Sequence, residues 1–387
     1  MRNGLKIYDA DTHVQPSAEV LDPYLPKWVF DRIPDLESRK VPIKIGLAGE
    51  VRQEPYKHFY RLGGGGEGGW GGATPRILGE AKAREGQARR FQNFMGTTFP
   101  TEGGVDYSDI RVADMDTEGV DVQLMVPSGA NGAKDVDVEM AFIQAQHRFL
   151  DDFCAPYPNR LKTMLVATAR DVEGSVAEIK RWAGKPWAVG VQAYLPLDYP
   201  VDHPDLNPIW AAAQEAGLTV VHHSFASGYP GYRDLWENPF IGRTASHPWG
   251  AMRMVAAFFG SGIMDRYPEL KLAVLECGFG WLPFWAKRMD DQVEYMGYVA
   301  EDLKHKPSEY MAGGRFFCSI VLHEGPDLIK MVNQLLGDQI LMFGSDYPHA
   351  ESRFPESVDK VLSWENLTAT ELQKLVWDNP VAAFGQP

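Results

Sequence analysis

Cysteine is scarce in this chain. Its 387 residues hold three, Cys154, Cys277 and Cys318, too few and too scattered for a disulfide framework or a cysteine-rich zinc site. No histidine is placed beside Cys277 or Cys318 by the sequence, so both read as small buried thiols rather than nucleophiles. Positive charge is also short. Lys and Arg number 38 against 52 Asp and Glu, a net charge of −14. Such a surface argues against nucleic acid and against an anionic membrane as partners. It leaves a small-molecule substrate open, because a bound metal ion can dominate the field inside a site. No apolar run is long enough to span a bilayer, and Met1 to Asp9 has no apolar signal core. The expectation is a cytoplasmic protein. A nucleotide phosphate loop is missing too: no Gly-Lys-Ser/Thr follows the glycines of 63–66 and 68–72.

What is present is a large apolar reserve, 44% of residues, with 11 tryptophans and 12% aromatics. Short β-type runs recur between helical stretches, the alternation of a parallel sheet. They are Leu5 to Tyr8, Val120 to Val126, Lys162 to Ala167, Ala188 to Tyr194, Leu218 to His222, Lys271 to Glu276, Arg315 to Ile320 and Gln339 to Phe343. Eight such runs in a chain of this length predict one (β/α)8 TIM barrel, a single α/β domain over 1–387. Helices are expected over Asp205 to Ala216, Pro326 to Leu336 and Thr368 to Trp377, the last opened by a Thr368/Glu371 capping box. From about Leu25 to Gly104 the chain is Pro- and Gly-rich and poorly periodic. It reads as an insertion after the first strand that lies over the barrel mouth, or else as a flexible surface loop.

In such a barrel the working residues stand at the C-terminal ends of strands. The first run leads into Asp11 and His13, two apart and so on one side of an extended chain. The fifth ends in His222-His223 and the eighth leads to Asp346. Any one of these could be an ordinary hydrogen-bonded residue, but carboxylates and imidazoles from three strand ends make a metal site. His349 is a candidate to orient Asp346, and His223 is at best a supporting residue. His247, in a loop between strands five and six, could reach the mouth as base, substrate contact or ligand. Trp281 and Trp249 could line the pocket or simply pack in the core, and His323 and Glu324 after strand seven could touch substrate. His58, His147, His203 and His305 lack a strand-end position and read as ordinary.

In combination, Asp9-Ala10-Asp11-Thr12-His13, Met115 to Asp121, Val221-His222-His223, Ser261 to Lys271 and Gly344-Ser345-Asp346-Tyr347-Pro348-His349 resemble the amidohydrolase-related family typified by amino-carboxymuconate-semialdehyde decarboxylase and the resorcylate-type decarboxylases. The resemblance covers nearly the whole chain except the Gly-rich insertion. It implies a metal, zinc or manganese, held by Asp11, His13, His222 and Asp346. The activity it implies is hydrolysis or non-oxidative decarboxylation of a small carboxylate or aromatic acid. It further implies a homodimer, or a hetero-oligomer with a related chain. One departure stands out. Where the family's catalytic histidine ends strand six, this chain has Glu276. That residue could be a general base or acid, a further ligand, or a structural ion pair with Arg288. As a ligand it would suit a two-metal site including iron, as in the dinuclear non-haem oxygenases among relatives of the fold. A silent supporting subunit is the remaining alternative.

Overall fold

The computed structural model describes residues 1–42, 44–45, 50–51, 58–62, 101, 103–129, 132–195, 200–223, 239–299, 303–349 and 351–387. Eight strands form one parallel sheet in chain order: β1 (Tyr8–Val14), β2 (Val122–Pro127), β3 (Leu161–Thr168), β4 (Ala188–Tyr194), β5 (Thr219–His223), β6 (Leu272–Leu275), β7 (Phe316–Ser319) and β8 (Leu341–Met342). The segment after β8 returns to β1 and brings the sheet's edges together. Ala10 N donates to Phe343 O (2.8 Å), Asp346 N to Asp11 O (2.9 Å) and His13 N to Tyr347 O (2.7 Å). Between the strands run α1 (Ser108–Glu118), α2 (Val136–Cys154), α3 (Val172–Trp182), α4 (Asn207–Glu215), α5 (Pro239–Gly260), α6 (Leu282–Tyr295) and α7 (Gly325–Leu336). This is the expected (β/α)8 barrel, and the capping box of Thr368 and Glu371 opens the C-terminal helical stretch as expected.

Two apolar layers result from the period-two alternation of the strands. Tyr8, Ala10, Val122, Leu124, Met164, Val221, Ala273, Leu275, Phe317 and Met342 fill the barrel interior, where Phe384 from the C-terminal stretch packs against them. The alternate residues face the helices. The largest difference from the expected strands is at β1, which starts at Tyr8 instead of Leu5 and continues through His13 because Thr12 and His13 pair with β2. Between Asp9 and Thr12 the register slips: three residues of β1 advance while two of β2 do. This bulge reverses the parity of the strand. Tyr8 and Ala10 face inward below it, and Asp11 and His13 face inward above it.

The segment between β1 and α1, the first barrel helix, includes the stretch of about 25–104 expected as an insertion or surface loop, most of which lies outside the described residues. Ser17 N and Oγ both donate to the Asp106 carboxylate (2.7 and 2.8 Å), tying its two ends together. Its described helices, Ala18–Leu21 and Lys27–Arg32, lie beside α2: Tyr24 OH donates to Asp152 and Arg148 donates to Tyr24 O. The glycine runs at 63–66 and 68–72 fall outside the described residues.

Candidate metal centre

Four strand ends at the C-terminal mouth deliver a tight cluster of acids and imidazoles. β1 supplies Asp11 and His13. β5 supplies His223. Glu276 follows β6 directly, and Asp346 follows β8 with His349 three residues on. His13 Nε2 lies 2.9 Å from Asp346 Oδ1 and 3.8 Å from Glu276 Oε2. His223 Nε2 lies 3.0 Å from Glu276 Oε2 and 3.6 Å from Asp11 Oδ1. His349 Nδ1 is 2.8 Å from Asp346 Oδ1, and its ring stacks on His13 with centroids 3.9 Å apart.

His223, and not His222, joins this cluster. The strand's alternation decides it: Val221 is part of the barrel interior and Val220 of the helix-facing layer, so His223 points in and His222 points out. His222 lies against a cavity of about 10 Å³ lined by Trp210, Leu195 and Met254. Burial there, with some help from the His223 charge, drives its pKa down to about 3. His223 therefore stands in the cluster where His222 was expected, and His222 faces the helix layer instead.

Both key carboxylates sit on strained backbone. Glu276 has φ 52° and Asp346 φ 63°, the left-handed region that a β-carbon disfavours by roughly 1–2 kcal/mol. Neighbouring residues hold them there. Glu276 N donates to Ser319 Oγ (3.1 Å), and Ser319 Oγ donates to Asp11 Oδ2 (2.9 Å). One serine at the end of β7 thus links two candidate ligands. A β-carbon on Gly344 would come within 2.7 Å of the Asp11 β-carbon, so the turn before Asp346 requires glycine. The Glu324 carboxylate accepts from Phe279 N (2.9 Å) and Gly280 N (2.8 Å), fixing the turn between Glu276 and α6.

His247 is not in a loop. It lies inside α5 beside Pro248, and its Nδ1 is 3.0 Å from Glu276 O and 3.9 Å from Glu276 Oε1. Glu276 forms no ion pair with Arg288; Arg288 is exposed on α6, and the partners of Glu276 are imidazoles. Trp281 Nε1 donates to Cys277 O and Gly278 O and so braces the same turn. Trp249 packs partly buried against the core under Arg253, and His323 is exposed. All three cysteines are buried, as expected of structural thiols. His147 is structural too, bonded to Glu178 (2.9 Å) and accepting from Val166 N.

Two supporting residues were missed by the sequence reading. Ser319 is one. The other is Arg111 of α1, fully buried, whose guanidinium donates to Gln123 Oε1, His13 O and Thr12 Oγ1, each at 2.7 Å. It also lies over the Tyr347 ring, 4.9 Å from its centroid. Arg111 therefore clamps the β1 bulge to β2 and to the turn after β8.

Charge follows from the packing. Burial favours a neutral Glu276, but His223 and the nearby imidazoles outweigh it and hold the carboxyl well below its usual range. Burial likewise opposes a charged His223, yet Asp11 and Glu276 raise its pKa well above the ordinary value. His13 moves the other way, lowered by burial and by the His349 and His223 charges. Asp346 is raised, mainly by burial.

The residues fit a divalent ion. Ligands at ~2.1 Å from one centre lie about 3.0 to 3.4 Å from each other; five donor pairs here lie 2.8 to 3.8 Å apart, and all donors of each group fall within 4.8 Å of one another. Among the described residues, Asp11 Oδ1, His13 Nε2, Glu276 Oε2 and Asp346 Oδ1 are buried without a hydrogen bond of good geometry. Buried acceptors left so are costly unless something positive sits among them. The donors fall into two overlapping groups, His13–Glu276–Asp346–His349 and Asp11–His13–His223.

An eight-stranded parallel barrel with acids and imidazoles converging at its C-terminal mouth is the architecture of a barrel enzyme. The chain belongs to the amidohydrolase family, whose pattern matches residues 10–386. It is 25% identical over 305 residues to the gamma-resorcylate decarboxylase of Polaromonas sp. (strain JS666), covering 72% of this chain and 88% of that protein. Its fold is similar to the crystal structure of 5-carboxyvanillate decarboxylase from Sphingomonas paucimobilis, with TM-score 0.66, 18% identity, and 99% and 100% of the two chains covered. A second similar structure is dihydroxybenzoic acid decarboxylase from Polaromonas sp. JS666 with bound manganese and the inhibitor 2-nitroresorcinol. There the TM-score is 0.61, the identity 15% and the coverage 98% and 97%.

Proposed function

We propose that this protein is a metal-dependent, non-oxidative decarboxylase of a small hydroxylated aromatic acid. The observation that carries the reading is the convergence of Asp11, His13, His223, Glu276 and Asp346 at the mouth, in a chain related to gamma-resorcylate decarboxylase. Asp11, His13, His223 and Asp346 would hold the ion, manganese or zinc. When bound, it would polarise the substrate's oxygens and hold the carboxylate in place.

The reaction breaks the bond between ring carbon and carboxylate. The electron pair stays on the ring carbon, that carbon takes a proton, and CO2 leaves. Proton handling falls to Glu276. Its Oε1 is 3.9 Å from Nδ1 of His247, the neighbouring imidazole not assigned to the ion, so after a small movement a proton can pass from that imidazole to the carboxylate and on to the ring carbon. His349, the most exposed imidazole of the cluster with 26% of its side chain open, connects Asp346 to the solvent side.

The likeness to decarboxylases favours this reading over hydrolysis and over oxygenation; none of the similar proteins named above is an oxygenase. The two overlapping donor groups keep metal count informative. The test is CO2 release from 2,6-dihydroxybenzoate and related hydroxybenzoates by chelator-treated protein resupplied with Mn²⁺ or Zn²⁺. Metal-dependent CO2 release is expected. Glu276→Gln should retain the metal and lose turnover by about 10²-fold or more. Hydrolysis of an ester or amide without CO2 release, or an unchanged Glu276→Gln, would refute the assignment.

A further inference from the structure

Beside the metal cluster, β4 brings a polar side chain to the inner wall of the barrel that the proton and metal chemistry above leaves unused. Its register against β3 slips between Ala188 and Gly190, and above the slip Gly190, Gln192 and Tyr194 are the inward positions. Gly190 fixes the direction. A β-carbon there would meet Val221 Cγ2 at 3.2 Å and Met164 Cβ at 3.4 Å, and both residues belong to the barrel interior. Val191 and Ala193 pack instead with the helix-facing layer. Gln192 pairs with Val221 of β5, and neighbours in a parallel pair point to the same face. Two residues on along each strand, Tyr194 stands level with His223, so this wall adjoins the cluster.

The residues in register with Gln192 around the sheet are Val221, Ala273 and Phe317. Each is 2% exposed or less, whereas Gln192 is half-buried. The mouth thus stays open one layer deeper at β4 than at β5 to β7. The Gln192 amide forms no side-chain hydrogen bond among the described residues. It offers two donors and an acceptor. An apolar ligand edge placed against it would strip its water and give nothing back, while a hydroxyl would replace that water. Selectivity of this kind comes from the penalty on the wrong ligand. The group selected is neutral, because Gly190, Gln192 and Tyr194 carry no charge and a second carboxylate or an ammonium would need a counter-charge. We propose that Gln192 sets specificity at this wall by hydrogen-bonding a ring hydroxyl of the substrate that the ion does not hold. The proposal rests on the aromatic-acid reading above but not on turnover.

The experiment therefore measures binding. Manganese-loaded, full-length protein is titrated with 2-nitrophenol and with its ring-hydroxylated derivatives. The nitro group stands for the carboxylate, and nothing can leave as CO2. The wild type should bind at least one hydroxylated derivative about tenfold more tightly than 2-nitrophenol. Gln192→Met has a side chain of similar length without the amide. Its preference should fall to within about threefold, with its Kd for 2-nitrophenol within about threefold of wild type. Circular dichroism and manganese content verify that the variant is folded and loaded. A second readout needs no variant: in the zinc-loaded wild type, the side-chain amide signals of Gln192 should shift with the preferred derivative and stay in place with 2-nitrophenol. A wild type without preference, a preference kept in Gln192→Met, a variant weakened equally toward every ligand, or amide signals that ignore the preferred derivative would each overturn the proposal. Failure to release CO2 from hydroxybenzoates would instead overturn the decarboxylase reading and leave these binding results standing.

Discussion

The lower and upper halves of the barrel are built from the same strands and solve opposite problems. Below, Tyr8, Val221, Leu275, Phe317 and Met342 make a dry, close-packed interior. Above, the next inward positions of β1 and β5 and the residues just past β6 and β8 are Asp11, His13, His223, Glu276 and Asp346. The lower half stabilises the fold through apolar burial. The upper half works against it, with buried like charges, left-handed carboxylate residues and acceptors that lack donors. The rigid lower half holds the strained upper half in place, as expected when a site is preorganised at some cost in stability.

The sharpest way to break this comparison is to remove one member from each half. His13→Ala or Asp346→Ala should abolish metal binding and lower activity by about 10³-fold or more while the protein stays folded, since the loss removes a ligand and not a packing contact. Phe317→Ala in the lower half should cost about 3–5 kcal/mol of stability and leave metal content per folded molecule unchanged. Metal analysis alongside denaturant unfolding checks both. A destabilised His13→Ala that keeps its metal would erase the distinction.

The two adjacent histidines sharpen the boundary between inside and outside. His223→Asn should lower metal affinity by about 10²-fold. His222→Asn should leave metal affinity within about threefold, because its side chain faces the helix layer; calorimetric titration with Mn²⁺ compares them. This pair also shows where the sequence was legible and where it stopped. The eight-strand rhythm, the helix caps and the pairing of Asp11 with His13 were readable because alternation and capping are local. Which of His222 and His223 faces inward depends on where β5's register begins, and that is set by pairing with β4 and β6. The β1 bulge was equally hidden: it depends on Arg111, some hundred residues away in the chain. Glu276 could be placed at the mouth from its strand, but its imidazole partners come from three other elements.

Arg111 gives a smaller effect. Arg111→Met should leave His13 O, Thr12 Oγ1 and Gln123 Oε1 without their donor and cost about 2–3 kcal/mol. Since it also loosens the bulge, Mn²⁺ affinity should drop about tenfold, with Arg111→Lys recovering part of it. Affinity unchanged at reduced stability would mean that Arg111 supports only the fold.

The smallest effect lies far from the mouth. Glu371 accepts from Thr368 and Lys330 at the start of the C-terminal helical stretch. Burial opposes its charge, but these partners prevail and lower its pKa from 4.5 to about 2. A depressed carboxyl adds stability above its unfolded pKa and loses it as pH falls toward the folded one. Glu371→Gln should therefore be less stable by about 1 kcal/mol at neutral pH, and the gap should close between pH 4.5 and about 2. Urea unfolding across that range would show it.

The central claim is that the mouth holds a divalent metal among Asp11, His13, His223 and Asp346. Crystals of the manganese-loaded protein, measured at the manganese absorption edge, test it directly. The account predicts an anomalous peak within about 2.3 Å of His13 Nε2 and an Asp346 carboxylate oxygen, with the His222 ring turned away. A map with no peak in the mouth of the loaded protein, or a peak bound by His222, would contradict it.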